Sequence, residues 1–306
     1  MNSQPNHSEQ ADERSWIGES IGRSDRYKIS ELLRSESRFQ SYLAEDQQLG
    51  RQVELCIYEK EHKSAASAQI SILASLQHPS VRPVLDAFVH EDLAVHVLTA
   101  LDGYNLAELL DGETALEAKE LLNIAPQILD VLITLHDQGF LHLGLCPAHL
   151  NISTTWNSGC HYILHDFSNA QKIDEKGLSE VTDSAMFREN YRFAPPEILG
   201  GDSADARSDL FSLGAVIYNL FSGSPPFNGE KPIQVSQSHQ TDSPPQHLSE
   251  LRADIPSELA NWAMNLLEID PSLRPASASE ALASFEEIAK DLSFSTPNEE
   301  EAQQVA

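Results

Sequence analysis

The sequence predicts an α+β protein of two lobes, a small antiparallel β lobe followed by a large, mainly α lobe. Three observations predict it. Short runs of β-forming residues, separated by turn material, fill the first hundred positions. Helical periodicity dominates the remaining two hundred or so residues. The change of character is confined to residues 99–103, which join the two lobes.

Residues 1–25 are polar and mixed in charge, and read as a flexible leader with Trp16-Ile17 as a docking point. "RYKISELL", "QSYLAED" and "RQVELCIY" supply three strands. Residues 63–76, "KSAASAQISILASL", have helical composition, and "HPS" stops that helix because proline disfavours helix at the residue before it. "VRPVLDAFV" and "LAVHVLTA" complete a five-stranded antiparallel sheet with one helix after the third strand. In residues 116–138, Leu121, Leu122, Ala125, Ile128, Leu129, Leu132 and Leu135 form one face of a long amphipathic helix. "RSDLFSLGAVIYNLFSG" is apolar on most sides, as a central buried helix is. "PSELANWAMNLLEI", with proline near its start, and "ASEALASFEEIAKDL", with a serine cap, are further amphipathic helices. The division is a leader 1–25, a domain 26–292 with lobes 26–101 and 102–292, and an acidic flexible tail 293–306.

Composition narrows the function. A 41% hydrophobic content is enough for a full core. Asp and Glu number 47 against 20 Lys and Arg, a formal charge of −27 that repels phosphate backbones and anionic membranes. Nucleic-acid and membrane partners are therefore not expected. Cys56, Cys146 and Cys160 are odd in number and irregularly spaced, so no disulfide framework is implied. The first residues lack the basic and apolar regions of a secretory signal, and no apolar run has the length of a membrane span. The expectation is a soluble, reduced, cytoplasmic protein.

The order of motifs then becomes specific. "LHDQGFLHLGLCPAH" is followed by "YRFAPPEILGG", "DARSDLFSLGAVIYNLFSGSPPF" and "DPSLRPAS". This series resembles the protein-kinase fold, most closely the bacterial serine/threonine kinases, over about Tyr27 to Leu292. The resemblance implies a bilobal kinase-like fold and assigns structural roles. Glu197 matches the Ala-Pro-Glu glutamate and Arg274 its pairing arginine. Asp209 matches the aspartate that supports the catalytic loop, His142 the histidine of His-Arg-Asp, and Phe167 the Phe of Asp-Phe-Gly. In the family that histidine and phenylalanine belong to a packed spine of side chains, whose other positions Leu73 and Val84 fit.

The chemistry-bearing positions differ. Phosphoryl transfer depends on positioning and on cations against the phosphates. The glycine-loop positions carry Arg34, Glu36 and Phe39, and without glycine the backbone cannot approach phosphates closely. Cys56 stands for the phosphate-binding lysine and Gln69 for its glutamate partner. Around adenine stand Ser41, Glu54, Leu98 and Asn151, and Glu54 would face the base with a carboxylate that is costly to desolvate unless paired. In the catalytic loop Leu143 replaces the phosphate-reading arginine, Gly144 the aspartate base, Cys146 a lysine and His149 a magnesium-binding asparagine. Asp166 alone is retained, and Asn190 replaces a threonine near the Ala-Pro-Glu element. Arg38 and Lys60 are the cations available as substitutes for the lysine, but neither restores Gly144 or the adenine slot.

His142, Cys146, His149, Cys160, His161, His165 and Asp166 crowd together, and His149 with Asp166 hold the two magnesium positions. Histidine and cysteine suit a softer metal, but the spacing matches no standard zinc module. No metal site is expected, and His149 and Asp166 are the candidates if there is one. The leading expectation is a pseudokinase: no cofactor, and a scaffold or allosteric role toward a protein partner such as an active kinase or another signalling protein. Residues 63–76, 166–197 and 224–255 are its candidate surfaces. The alternative is a divergent ATP- and magnesium-dependent serine/threonine kinase using Asp166.

Overall fold

The computed structural model describes residues 15–36, 38–111, 116–153, 160–174, 191–240 and 244–292. The tail 293–306, most of the leader and Asn190 lie outside the described residues. The chain forms two compact units, Met1–Ser67 with Val84–Ala100, and Ala68–Pro83 with Leu101–Ala306.

The first unit is built on one antiparallel sheet. Its strands are β1 (Ser20–Ile21), β2 (Tyr27–Ser35), β3 (Phe39–Asp46) and β4 (Arg51–Tyr58). Helix α1 (Lys63–Ser75) follows, then β5 (Val84–His90) and β6 (Leu93–Thr99). The order is β1-β2-β3-β4-β6-β5. The period-two alternation of the sequence divides the side chains between two faces. Val53, Leu55 and Ile57 of β4 join Tyr42, Ala44, Val95 and Val97 on one face. Cys56 and Tyr58 join Phe39, Ala94 and Leu98 on the other, with Ala66 of α1.

The sheet exceeds the five strands expected. Ser20–Ile21 adds a two-residue strand on β2, with Ile21 opposite Tyr27. The leader is thus ordered from Trp16, which is buried in the first face and meets His90 edge-on at 5.8 Å. The indole supplies the apolar area that the surrounding polar residues lack.

The second unit contains β7 (Tyr104–Asn105), α2 (Leu106–Asp111), α3 (Leu121–Asp137), β8 (Phe140–Leu141), β9 (Leu150–Ser153), β10 (His161–Leu164) and β11 (Gln171–Lys172). It continues with α4 (Pro196–Gly200), α5 (Ala206–Ser222), α6 (Pro232–His239), α7 (Leu248–Leu251), α8 (Ser257–Leu266) and α9 (Ala278–Asp291). Helix α3 buries Leu121, Ala125, Ile128, Leu129, Leu132 and Leu135. Each leucine or isoleucine among them contributes about 1.5–3 kcal/mol of burial. Helix α5 is buried from Ser208 to Phe221, as its all-round apolar character requires. Asp205 caps it by accepting from the Arg207 N–H at 2.8 Å, and Gly223 ends it in the left-handed conformation. Ser277 caps α9 by accepting from the Glu280 N–H at 3.1 Å.

Residues 68–83, read from the sequence as part of the first lobe, cluster with the second unit. Backbone pairing holds them there: Leu164 N–H donates to Ser80 O at 2.8 Å, and Arg82 N–H to Leu164 O at 3.1 Å. His78 adds a 2.9 Å contact to Asp130 of α3. The 101–105 stretch is seated as closely. Gly103 has φ +82°, and a Cβ there would lie 1.9 Å from Ile152 O, so no other residue fits.

Candidate functional site

In the first unit, strand register brings the suspected nucleotide-site residues onto one face. Arg34 is opposite Ser41, Ser41 opposite Cys56, and Cys56 opposite His96. Glu54 lies two residues from Cys56, opposite Leu98. Glu54 is buried, and its carboxylate accepts from Arg34 Nη2 at 2.9 Å. Arg34 also lies 3.7 Å from Glu36. The first glycine-loop position therefore carries the counter-ion of the carboxylate that would face adenine. The carboxylate expected to be costly unless paired is therefore paired, with Arg34 as its partner.

The lysine position has changed in kind as well as in charge. Cys56 is buried among Phe39, Tyr58, Ala66 and Leu98. Phe39 is thus a core residue, packed at 5.1 Å on Tyr58, which lies 4.6 Å from His96. Burial pushes the His96 imidazole down to about 4, partly offset by a bond to the Ala66 backbone. Ser41 is fully buried, and its Oγ has no partner among the described residues. Gln69 on α1 is buried and uncharged. Lys60 is exposed and pairs with Asp92 at 3.5 Å.

In the second unit, a 3-10 turn at Pro147–His149 displays the catalytic-loop positions. His149 Nδ1 lies 2.7 Å from Gly144 O, and its Nε2 lies 3.5 Å from Asp166 Oδ2. Both neighbours can accept, so the surroundings favour a proton on the ring nitrogens. Burial opposes that charge, but the Cys146 sulfur and the Asp166 carboxylate outweigh it and push the imidazole up to about 10. Burial likewise opposes the Asp166 charge, and His149 with the Ser168 N–H, at 2.7 Å, holds the carboxyl well below its usual range.

Asn169 is a site residue that motif reading missed. It is buried beside Gly144, and a Cβ on Gly144 would lie 2.8 Å from Asn169 Nδ2. The place of the aspartate base is therefore filled by an amide from the next segment. The one local signal is the glycine itself. Asn151 is buried, and its Oδ1 accepts from Asn105 Nδ2 at 3.4 Å. Asn105 Nδ2 also donates to Ala148 O at 2.7 Å, tying β7 to the catalytic-loop turn.

Of the other clustered ligand types, Cys146 is buried beside His149 and the His165 ring lies 6.3 Å from the His149 ring, while His161 Nε2 lies 3.1 Å from Pro79 O and Cys160 is half-buried. Among the described residues, no three His, Cys, Asp or Glu side chains are grouped to hold a metal ion.

The structural positions of the second unit are held by hydrogen bonds and packing. Asp209 Oδ2 accepts from the His142 N–H at 2.8 Å and Oδ1 from the Leu143 N–H at 2.7 Å, while His136 Nε2 lies 2.8 Å from Oδ2. The carboxylate thereby steadies the backbone where Leu143 takes φ +54°. His142 is fully buried with its edge on Phe167 at 4.9 Å, and burial lowers its imidazole to about 4. Leu143 packs with Ala194, Ile198 and Ala204, replacing a charged reader with an apolar contact. Arg274 grips Glu197 bidentately at 2.8 and 3.0 Å and lies over the Phe211 ring at 4.8 Å.

Comparison with known proteins agrees with this skeleton. The family model of the protein kinase domain matches residues 51–285. The chain is 30% identical over 231 residues to the serine/threonine-protein kinase PknB of Mycobacterium tuberculosis H37Rv, covering 72% of this chain and 36% of that protein. It is 27% identical over 283 residues to the probable serine/threonine-protein kinase CPE1738 of Clostridium perfringens, covering 90% and 40%. A probable serine/threonine-protein kinase of Streptomyces coelicolor, SCO3848, is 29% identical over 271 residues, covering 85% and 39%. The chain thus spans well under half the length of these relatives. Among the described residues no helix is long and apolar enough to cross a membrane. With motifs, fold and relatives in agreement, the chain belongs to the protein kinase superfamily and is similar to its bacterial serine/threonine kinases.

Proposed function

We propose that this chain is a catalytically inactive member of its family, a pseudokinase of the cytoplasm that works by binding a protein partner. The partner is an active kinase or another signalling protein. The observation that carries the reading is the His149–Asp166 pair. In the family these positions grip magnesium, which needs near-octahedral oxygen ligands. Here one of them is a histidine whose ring faces the carboxylate of the other at 3.5 Å. These residues fit magnesium poorly, because an imidazole stands where a hard oxygen ligand is needed and its ring occupies the Asp166 carboxylate. Arg34 and Glu54 support the same reading, since the loop's cation is committed to a buried carboxylate rather than to phosphate.

Thermal-shift titration with ATP and magnesium or manganese tests it. The expected result is an unchanged melting temperature. Saturating ligand at a hundred times its Kd would stabilise a binding protein by about 2.7 kcal/mol, so a clear rise would overturn the reading.

A second reading is a divergent ATP-dependent serine/threonine kinase. It is favoured by Asp166 at its family position, the complete Asp209 and Glu197–Arg274 skeleton, and the kinase names of the relatives. It requires phosphoryl transfer that disappears in Asp166→Asn.

A further inference from the structure

We propose that a groove in the second unit binds a short basic segment of a partner protein, anchored by one bulky apolar side chain; this rests on the protein-binding function just proposed. The groove holds about 660 Å³ and is bounded by the end of α6, residues 244–250 and the C-terminal end of α8. Phe227, Leu267 and Met264 form its apolar wall. That volume suits one large aliphatic or aromatic side chain with its flanking backbone. Methionine in the wall adapts to the shape of the anchor.

Charge selects the occupant. Glu250 and Glu268 line the groove, are exposed, and form no ion pair among the described residues. Among the described residues no lysine or arginine lines it. His239 in its wall is packed edge-on to Phe227 at 4.3 Å, and neither ring nitrogen has a hydrogen-bond partner among the described residues. Burial lowers this imidazole to about 4, so it is neutral at physiological pH and does not repel a cation. A second copy of the chain is poorly matched, because 47 acidic and 20 basic residues make copies repel one another. A segment with Lys or Arg on both sides of its anchor satisfies both carboxylates and the apolar wall.

The test uses the full chain and a fluorescein-labelled heptapeptide with one central leucine flanked by arginines. Fluorescence anisotropy is expected to show saturable binding. Glu250→Lys with Glu268→Lys, both exposed sites, is expected to weaken it about tenfold or more, as reversed charges at a contact do. Met264→Arg, and a serine in place of the peptide's leucine, are expected to abolish it. Circular dichroism melting of each variant establishes that it is folded. Absence of binding to the wild-type chain, or undiminished binding to the folded double-lysine variant, overturns the groove. A dimer in sedimentation that Met264→Arg dissolves overturns it too, in favour of a second copy. ATP-dependent stabilisation in the same samples sinks the pseudokinase reading instead, so the two failures are separable.

Discussion

Gly144 and Asn169 change what a repair of the catalytic loop would need. An aspartate at Gly144 meets the Asn169 amide, which a Cβ alone would approach to 2.8 Å. Gly144→Asp is therefore expected to lower stability by about 1–3 kcal/mol, the usual cost of overpacking, and to give no phosphoryl transfer. Adding Asn169→Ala is expected to recover most of that loss in urea unfolding. No recovery would place the strain elsewhere. The glycine at the family's base position was legible in the sequence, because Gly144 sits in a motif with a known frame. What fills its place was not legible, since Asn169 comes from a different segment. Arg34 and Glu54 give the same lesson. Each was visible as a misfit, but their pairing depends on cross-strand register, which spacing within one strand does not supply.

The elements most open to sequence reading were those with long periodic signals. Helices α3, α5, α8 and α9 and five of the strands belong here. Strand β1 has two residues and carries no periodicity to detect. Of the Trp16-Ile17 docking point Trp16 is buried and Ile17 is exposed, and the strand beyond them was not legible, because backbone pairing leaves no mark on two side chains. Trp16 now joins the leader to the core of the first sheet face. Trp16→Ala is expected to cost about 3–5 kcal/mol, as large aromatic truncations in a core do. A shift of the thermal midpoint reports it. A change within error would mean that the indole covers the sheet without supporting it.

Over the whole molecule, buried histidines set opposite limits on pH. His96, His142 and His239 are each held near 4, below an unfolded value of about 6.5. Between those values the unfolded chain binds more protons, so stability falls as pH drops from about 6.5 toward 4. His149 is held near 10, and its contribution is complete below about 6.5 and lost as pH rises toward 10. The expected urea midpoint is greatest near neutrality and falls on both sides. His149→Gln is expected to flatten the alkaline side alone, and an unchanged alkaline limb would rule out the upward shift of His149.

The burial of the His149–Asp166 pair also separates two responses to ionic strength. Both side chains are almost out of reach of water, at 12% and 6% exposure. Mobile ions screen exposed charges within a Debye length of about 8 Å at physiological salt, and buried pairs far less. Adding salt therefore quiets the acidic outer surface of this chain while the catalytic-loop pair keeps its attraction, so a moderately saline cell would dim long-range recognition without loosening the interior.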